Sequence, residues 1–345
     1  MAAEDPLDYE ARARAVLPAH VGAYYATGAG SGDAQVEGIA DWSRVRFRPR
    51  VLTDVGSIDI GTSVLGTPVR TPVLVAPMAQ QLGAHPDGEA AMGRAVASTG
   101  SLLGVSTHTA VPFSVIAAIG APWWLQVYVM RDRGLTEQLV RRAVDTGARA
   151  LLLTVDMIAL LPAEVNPRQW PEGVAKTRWA NITPAEQAQA SERGMETDPS
   201  IDFSTIEWLK RLSGLPVLVK GVLRSDDAQR CVDAGAAGVV VSTHGGRRLG
   251  PSVSSARALP DVVAAIGEQA EVYVDSGLRA PEHVAAALAL GARGVFVGRP
   301  ALWALAVDGS DGVEAVLNGL TDGLRHVMVQ LGAARLAELT ADLIA

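Results

Sequence analysis

The chain has 345 residues, 48% of them hydrophobic and 19% charged, and its 30 Lys and Arg against 37 Asp and Glu leave a formal net charge of −7. This balance excludes a disordered chain and, with no long basic tract, argues against a nucleic-acid backbone as the main partner and for small molecules. A lone cysteine, Cys231, six histidines without ligand spacing and no apolar run of about 20 residues point to a reducing cytoplasm, no metal and no membrane span.

Residues 1–72 open the chain as an N-terminal helical extension whose first 25 residues carry charges throughout, unlike a signal peptide. From residue 73, short runs rich in Val, Leu and Ile alternate with Ala-rich helical stretches, the pattern of βαβ units. Eight strands are expected, at 73–79, 102–107, 123–129, 150–156, 216–222, 238–243, 271–277 and 294–299. Helices are expected at 88–98, 135–145, 226–234, 253–267 and 281–290, several closed by a glycine such as Gly147, Gly235 or Gly291. Continuous apolar strands are buried on both faces, and eight of them predict an α/β fold, a (β/α)8 TIM barrel, over the alternative of a doubly wound open sheet. One domain over 1–345 is expected, with the extension at 1–72, barrel strands within 73–300, a long lid-like insertion at 157–204 after strand four, and C-terminal helices at 301–345. The insertion is polar, carries Pro162, Pro167, Pro171 and Pro184, and has the length of a functional loop over the C-terminal face.

Barrels carry their reacting groups at strand C-termini, so the polar residues ending each apolar run matter most. They include Gln126 and Tyr128, Thr154 and Asp156, Lys220, and the stretch Ser242-Thr243-His244-Gly245-Gly246-Arg247. Strands seven and eight end in Asp275-Ser276-Gly277-Leu278-Arg279 and Gly298-Arg299-Pro300, where glycines admit an anion to backbone N–H groups and arginines add paired donors. That reads as a phosphate grip, against the plainer reading of two ordinary strand-ending turns. Lys220 in an apolar run needs either a carboxylate partner or an electron-rich ligand edge. His244 and Arg247 would project a base and a carboxylate clamp into one mouth, and Asp156 could orient the imidazole from another strand.

With Tyr24-Tyr25-Ala26-Thr27-Gly28-Ala29, Arg48-Pro49-Arg50, Ala76-Pro77-Met78-Ala79, His85-Pro86-Asp87-Gly88-Glu89, Thr154-Val155-Asp156, Lys220-Gly221, His244-Gly245-Gly246-Arg247 and Gly298-Arg299-Pro300 in order, the chain resembles the FMN-dependent 2-hydroxy-acid oxidases and dehydrogenases. These include glycolate oxidase, lactate oxidase and mandelate dehydrogenase, and the resemblance runs almost end to end. It implies FMN against the backbone of Ala76, Pro77, Met78 and Ala79, with Ser106, Gln126, Thr154 and Lys220 around the flavin ring. It places Asp275, Gly277, Arg279, Gly298 and Arg299 at the ribityl phosphate. Tyr24, Tyr128, Arg247 and, as a pocket residue, His108 would meet the substrate, while His244, Asp156 and Tyr128 form the catalytic set. Reduced flavin would be reoxidised by O2 with peroxide release, in a homotetramer. Alternatives are a dehydrogenase or monooxygenase of the same family using another acceptor, and a non-redox FMN isomerase or repurposed binding barrel.

Four places depart from the family pattern. After Thr-Val-Asp the second carboxylate-binding arginine is missing, its place falling at Pro162 or Ala163, and Arg168 is the candidate substitute. The usual Ser-Asn-His-Gly, Arg-Gln-Leu-Asp and Asp-Gly-Gly read Ser242-Thr243-His244-Gly245, Arg247-Arg248-Leu249-Gly250 and Asp275-Ser276-Gly277. With one clamp fewer, an atypical, larger or less charged hydroxy acid is expected.

Overall fold

The computed structural model describes residues 6–157 and 179–345. All eight expected strands form: β1 (Val73–Met78), β2 (Leu103–Ser106), β3 (Trp123–Val127), β4 (Leu151–Thr154), β5 (Val217–Val222), β6 (Gly238–Val241), β7 (Glu271–Val274) and β8 (Gly294–Val297). They pair in sequence order, and β8 pairs in parallel with both β7 and β1, closing the barrel. Closure rules out the open doubly wound sheet. Most strands are shorter than the apolar runs suggested, because the residues past each end leave the ladder for the turns of the C-terminal rim.

Each strand is sided by two packing environments. The inner one collects Leu74, Trp124, Leu152, Leu218, Val240, Tyr273 and Phe296, with Trp124 and Tyr273 edge to face at 5.5 Å. The outer one packs Val73, Val75, Leu103, Leu125, Leu153, Val219, Val239 and Val295 against the surrounding helices. Burial on both sides is why these strands read as unbroken apolar runs rather than alternating ones. A hairpin of Thr62–Val64 and Thr67–Val69, absent from the sequence reading, puts Val64, Leu65 and Val69 against the inner cluster. Glu271 Oε2 accepts the Leu65 N–H at 3.0 Å and ties this plug to the start of β7.

The expected helices appear as Gly88–Thr99, Arg133–Asp145, Ser225–Asp233, Ser255–Ile266 and Pro281–Ala289. Phe113–Ile119 and Ser204–Ser213 were not anticipated: the first is under two turns long, and the second turns only Thr205, Ile206 and Leu209 inward. Helices at Pro6–Val16, Ala19–Ala26 and Asp33–Arg44 precede the barrel. The last helix, Arg299–Leu331, breaks at Asp308 and Gly309, whose backbone angles are not helical. The described part of the insertion returns to the barrel through an antiparallel bridge of Met130 and Thr197 and the Asp198 N–H to Val129 carbonyl bond at 2.8 Å. No helix among the described residues is long and apolar enough to cross a membrane.

Candidate active site

Side chains two residues apart on a strand share a face, so the layer above the apolar interior can be read from the strands. Two residues beyond Leu74, Gly104, Trp124, Leu152, Leu218, Val240, Tyr273 and Phe296 come Ala76, Ser106, Gln126, Thr154, Lys220, Ser242, Asp275 and Gly298. The apolar interior is thus capped by a largely polar ring at the C-terminal rim. Gln126 Oε1 accepts from Ser106 Oγ at 3.1 Å and from the Thr107 N–H at 3.2 Å. Gln126 Nε2 and Thr154 Oγ1, by contrast, are buried with no protein hydrogen-bond partner among the described residues. Such atoms are costly unless a ligand meets them. Lys220 is 4% exposed, and its Nζ lies 2.8 Å from both Asp275 Oδ2 and Ser242 Oγ, which offsets the cost of burying an ammonium.

Two ladder irregularities shape the rim. The β1–β2 register slips between Val75 and Met78, taking Ala76 and Pro77 out of regular pairing, with Ala79 following the strand. The β5–β6 register slips between Lys220 and Val222, around Gly221. Gly221 has φ of 109°, and a Cβ there would lie 2.6 Å from Asp156 Cγ, so only glycine lets Asp156 come this close.

That approach brings Asp156 Oδ1 to 3.0 Å from His244 Nδ1. Burial pushes the imidazole below its ordinary pKa, and the attraction of Asp156 only partly opposes this. Burial alone would raise the Asp156 pKa, but the charge and hydrogen bond of His244, with Lys220 behind, hold it below the usual carboxylate value. At neutral pH the pair is therefore an ionised carboxylate accepting Nδ1–H from a neutral ring, which leaves Nε2 able to take a proton. The backbone of His244 is left-handed, at φ 55°, a strained conformation of the kind found at functional loops.

The arginines gather on the other side of the mouth. Arg247 Nη1 donates to the carbonyls of Tyr24 (2.8 Å) and Thr27 (3.1 Å), with its guanidinium 5.0 Å over the Tyr24 ring. Arg299 donates to the carbonyls of Tyr25, Gly245 and Thr27 at 2.9, 2.7 and 3.0 Å, so it clasps the N-terminal segment to the base loop. It also opens the helix Arg299–Leu331, with Gly298 at the cap, where the positive end of the helix faces the rim. Arg279 Nη1 bonds its neighbour Leu278 O at 2.8 Å. Burial, then the nearby charges of Arg247 and Arg279, push the Arg299 guanidinium down to about 9. Gly277 packs against Gly38 of Asp33–Arg44. Asp275, grouped with these arginines in the sequence reading, is drawn to Lys220 instead.

Tyr128 is buried, and burial followed by the charge of Asp156 raises its phenol well above the ordinary value, so it stays a proton donor. His108 stands 5.4 Å from the Tyr128 ring and meets Trp179 edge-on at 4.7 Å. Trp179 was not singled out from sequence, although a tryptophan inside a polar insertion was the available signal. Nor was Arg248, treated only as a lost glutamine: its charge acts on Tyr128, Asp156, Tyr24 and His244, which come from four different segments around the mouth. Arg168, and Pro162 and Ala163 at the place of the missing arginine, lie outside the described residues.

Comparison with known proteins agrees with this geometry. The profile of the FMN-dependent dehydrogenase family matches residues 13–345. An L-lactate oxidase of Nostoc sp. is 38% identical, over 98% of this chain and 96% of its own length. Glycolate oxidase 1 of Zea mays is 39% identical, over 97% and 93%. Among solved structures, a mandelate oxidase superposes with a TM-score of 0.89 at 34% identity, covering 99% of this chain and 97% of that one. A soluble mutant of the membrane-associated (S)-mandelate dehydrogenase of Pseudomonas putida gives 0.91 at 30%, covering 99% of each. A closed parallel barrel with a half-buried His–Asp pair at its rim, matched along nearly its whole length at this identity, belongs to the FMN-dependent dehydrogenase family.

Proposed function

We propose that this chain oxidises a 2-hydroxy acid to the 2-oxo acid using FMN, with O2 as the terminal acceptor and peroxide as its product. The observation that carries this reading is the placement of a neutral, carboxylate-oriented histidine beside a ring whose Gln126 Nε2 and Thr154 Oγ1 await polar ligand atoms. FMN fits the donors present. Gln126, Thr154, Ser106 and Lys220 would meet the polar edge of its ring over the Ala76–Ala79 backbone, and Arg279, Gly298 and Arg299, with Gly277 beside them, its phosphate. A dianion there would offset the burial and the neighbouring positive charges that together lower Arg299. Asp275, held by Lys220, would face the ribityl chain.

FMN, when bound, would supply the two-electron acceptor for the substrate carbon and take up the hydrogen that does not go to His244. His244 takes one substrate proton on Nε2, and Asp156 on Nδ1 holds the tautomer and balances the imidazolium that results. Tyr128 and Tyr24 donate to the substrate oxygens, Arg247 faces the carboxylate, and Arg248 supplies a second positive charge from the same loop. His108 and Trp179 wall the far side, which suits a side chain larger than that of glycolate. Arg248 makes up part of the cation deficit, so the expectation of a larger substrate is supported by the pocket wall more than by charge.

Anaerobic mixing of the yellow holoprotein with 2-hydroxy acids of graded size tests cofactor, reaction and pocket together. At least one acid should bleach the flavin, and air should restore the colour with one peroxide per substrate. Bleaching without peroxide would assign another acceptor, and no bleaching by any acid would remove the oxidase reading. The same reading carries a homotetramer, which sedimentation of the holoprotein checks.

A further inference from the structure

Ser276 occupies the place where an Asp-Gly-Gly stretch would carry its middle glycine, yet its backbone sits at φ 71°, where a side chain is strained. Its hydroxyl is the hub of three hydrogen bonds. It accepts the N–H of Thr243 at 3.2 Å and of Gly245 at 2.9 Å, and it donates to Asp275 Oδ1 at 2.7 Å. The residue between those two amides is His244, whose own N–H goes to Ser242 Oγ at 3.0 Å. Three successive N–H groups of the base loop are therefore held by two serine hydroxyls. Both hydroxyls converge on one buried ion pair: Asp275 Oδ2 and Ser242 Oγ each lie 2.8 Å from Lys220 Nζ.

This loop needs holding. His244, Gly245 and Gly246 are left-handed in succession, at φ 55°, 68° and 72°, so their N–H groups cannot enter a strand or helix ladder. A glycine at 276 would relax the strain at that position but leave the Thr243 and Gly245 amides without this acceptor. The serine backbone is itself clamped from outside, its carbonyl accepting Trp42 Nε1–H at 3.0 Å and Ser255 Oγ–H at 2.8 Å.

We propose that Ser276 is a positioning residue for the His244 base, fixing the backbone that presents the imidazole to Asp156 and coupling that backbone to the Lys220–Asp275 pair beside the cofactor. It rests on the oxidase reading for the role of His244, though not for the geometry. The groups that bear on the imidazole are Asp156 after β4, Lys220 on β5 and Arg248 on its own loop.

The test uses FMN-loaded Ser276→Gly and Ser276→Ala proteins. Ser276→Gly should keep FMN and stay folded with at most a modest drop in melting temperature, because the relief of the left-handed strain offsets part of the cost of the amides left without this acceptor. Its flavin should nonetheless be reduced at least 10-fold more slowly at saturating substrate, with little change in substrate half-saturation. The His244 pKa, followed by NMR of the ring protons, should rise toward the ordinary histidine value as the ring loses its fixed buried position. Ser276→Ala should slow reduction to a similar degree. Unchanged reduction and unchanged His244 pKa in Ser276→Gly would overturn the proposal, and so would a loss confined to Ser276→Ala, which would trace to backbone strain. Failure of the native protein to reduce its flavin would sink the oxidase reading alone, since the NMR titration would still decide the role of Ser276.

Discussion

His244 carries its own pH signature. Burial holds its folded pKa below the ordinary value, so the neutral, base-competent form is complete by neutral pH and is lost only as pH falls through that depressed pKa. Flavin reduction should therefore be flat around pH 7 and fall on an acid limb lying below about 6.5; a limb above it would contradict this environment. Asp156 stays ionised across that window, its pKa lying below the usual value. Replacing His244 with alanine should leave FMN bound and slow its reduction on the order of 10²–10⁴-fold, the usual contribution of a general base. An undiminished rate would remove His244 from the chemistry. Arg248 is tested by charge: Arg248→Gln should weaken saturation by a hydroxy acid about tenfold or more while barely affecting the corresponding hydroxy amide, which lacks the carboxylate. Equal losses for both would make Arg248 structural. His244 and Asp156 were legible in sequence because each ends an apolar run. Arg248 was not, because a motif comparison records which residue was lost, whereas where the new guanidinium sits depends on how the loop turns.

Among the elements, the strands were the most legible, since burial on both faces writes them as unbroken apolar runs. Phe113–Ile119 and the hairpin at 62–69 were invisible for the opposite reason: each is too short to build a period. The bulges at Ala76–Pro77 and Gly221 were hidden as well, because a register slip belongs to two strands at once. Gly221 provides the element-scale prediction. In Gly221→Ala the new methyl would meet Asp156 Cγ at 2.6 Å in a backbone already at φ 109°. The strain should cost about 1–3 kcal/mol and push Asp156 off His244. Melting temperature and flavin reduction should fall together; a native melting temperature and rate would show that Asp156 has room to yield.

For the whole molecule, the decisive quantity is the charge gathered at one side of the rim. Arg247, Arg279 and Arg299 gather there, the charges of Arg247 and Arg279 adding to burial in lowering Arg299, and the helix beginning at Arg299 adds its positive end. The phosphate of FMN should stabilise this assembly: at about 100 times its Kd, FMN adds roughly 2.7 kcal/mol, or several degrees in Tm. Riboflavin, which lacks the phosphate, should give a much smaller rise at the same concentration, and added salt should narrow the FMN effect. Equal rises would mean that the arginines serve only to clasp the N-terminal segment.

What the amino-acid sequence determined by itself was local: which stretches are buried on both faces, hence eight strands of a parallel α/β sheet, and which chemical groups end those stretches; closure into a barrel came from the pairing of the last strand with the first. Periodicity and composition carry that information because a strand's burial is written in its own residues. Only the tertiary structure decided what depends on segments distant in the chain meeting at one point. Asp156 and His244 are 88 positions apart and pair because Gly221 makes room. Asp275 goes to Lys220 rather than to the arginines, Trp179 meets His108 edge-on, and Arg248 comes near Tyr128 and Asp156. Ser276 looks like a small departure from a glycine motif until its hydroxyl is found between the Thr243 and Gly245 amides and Asp275.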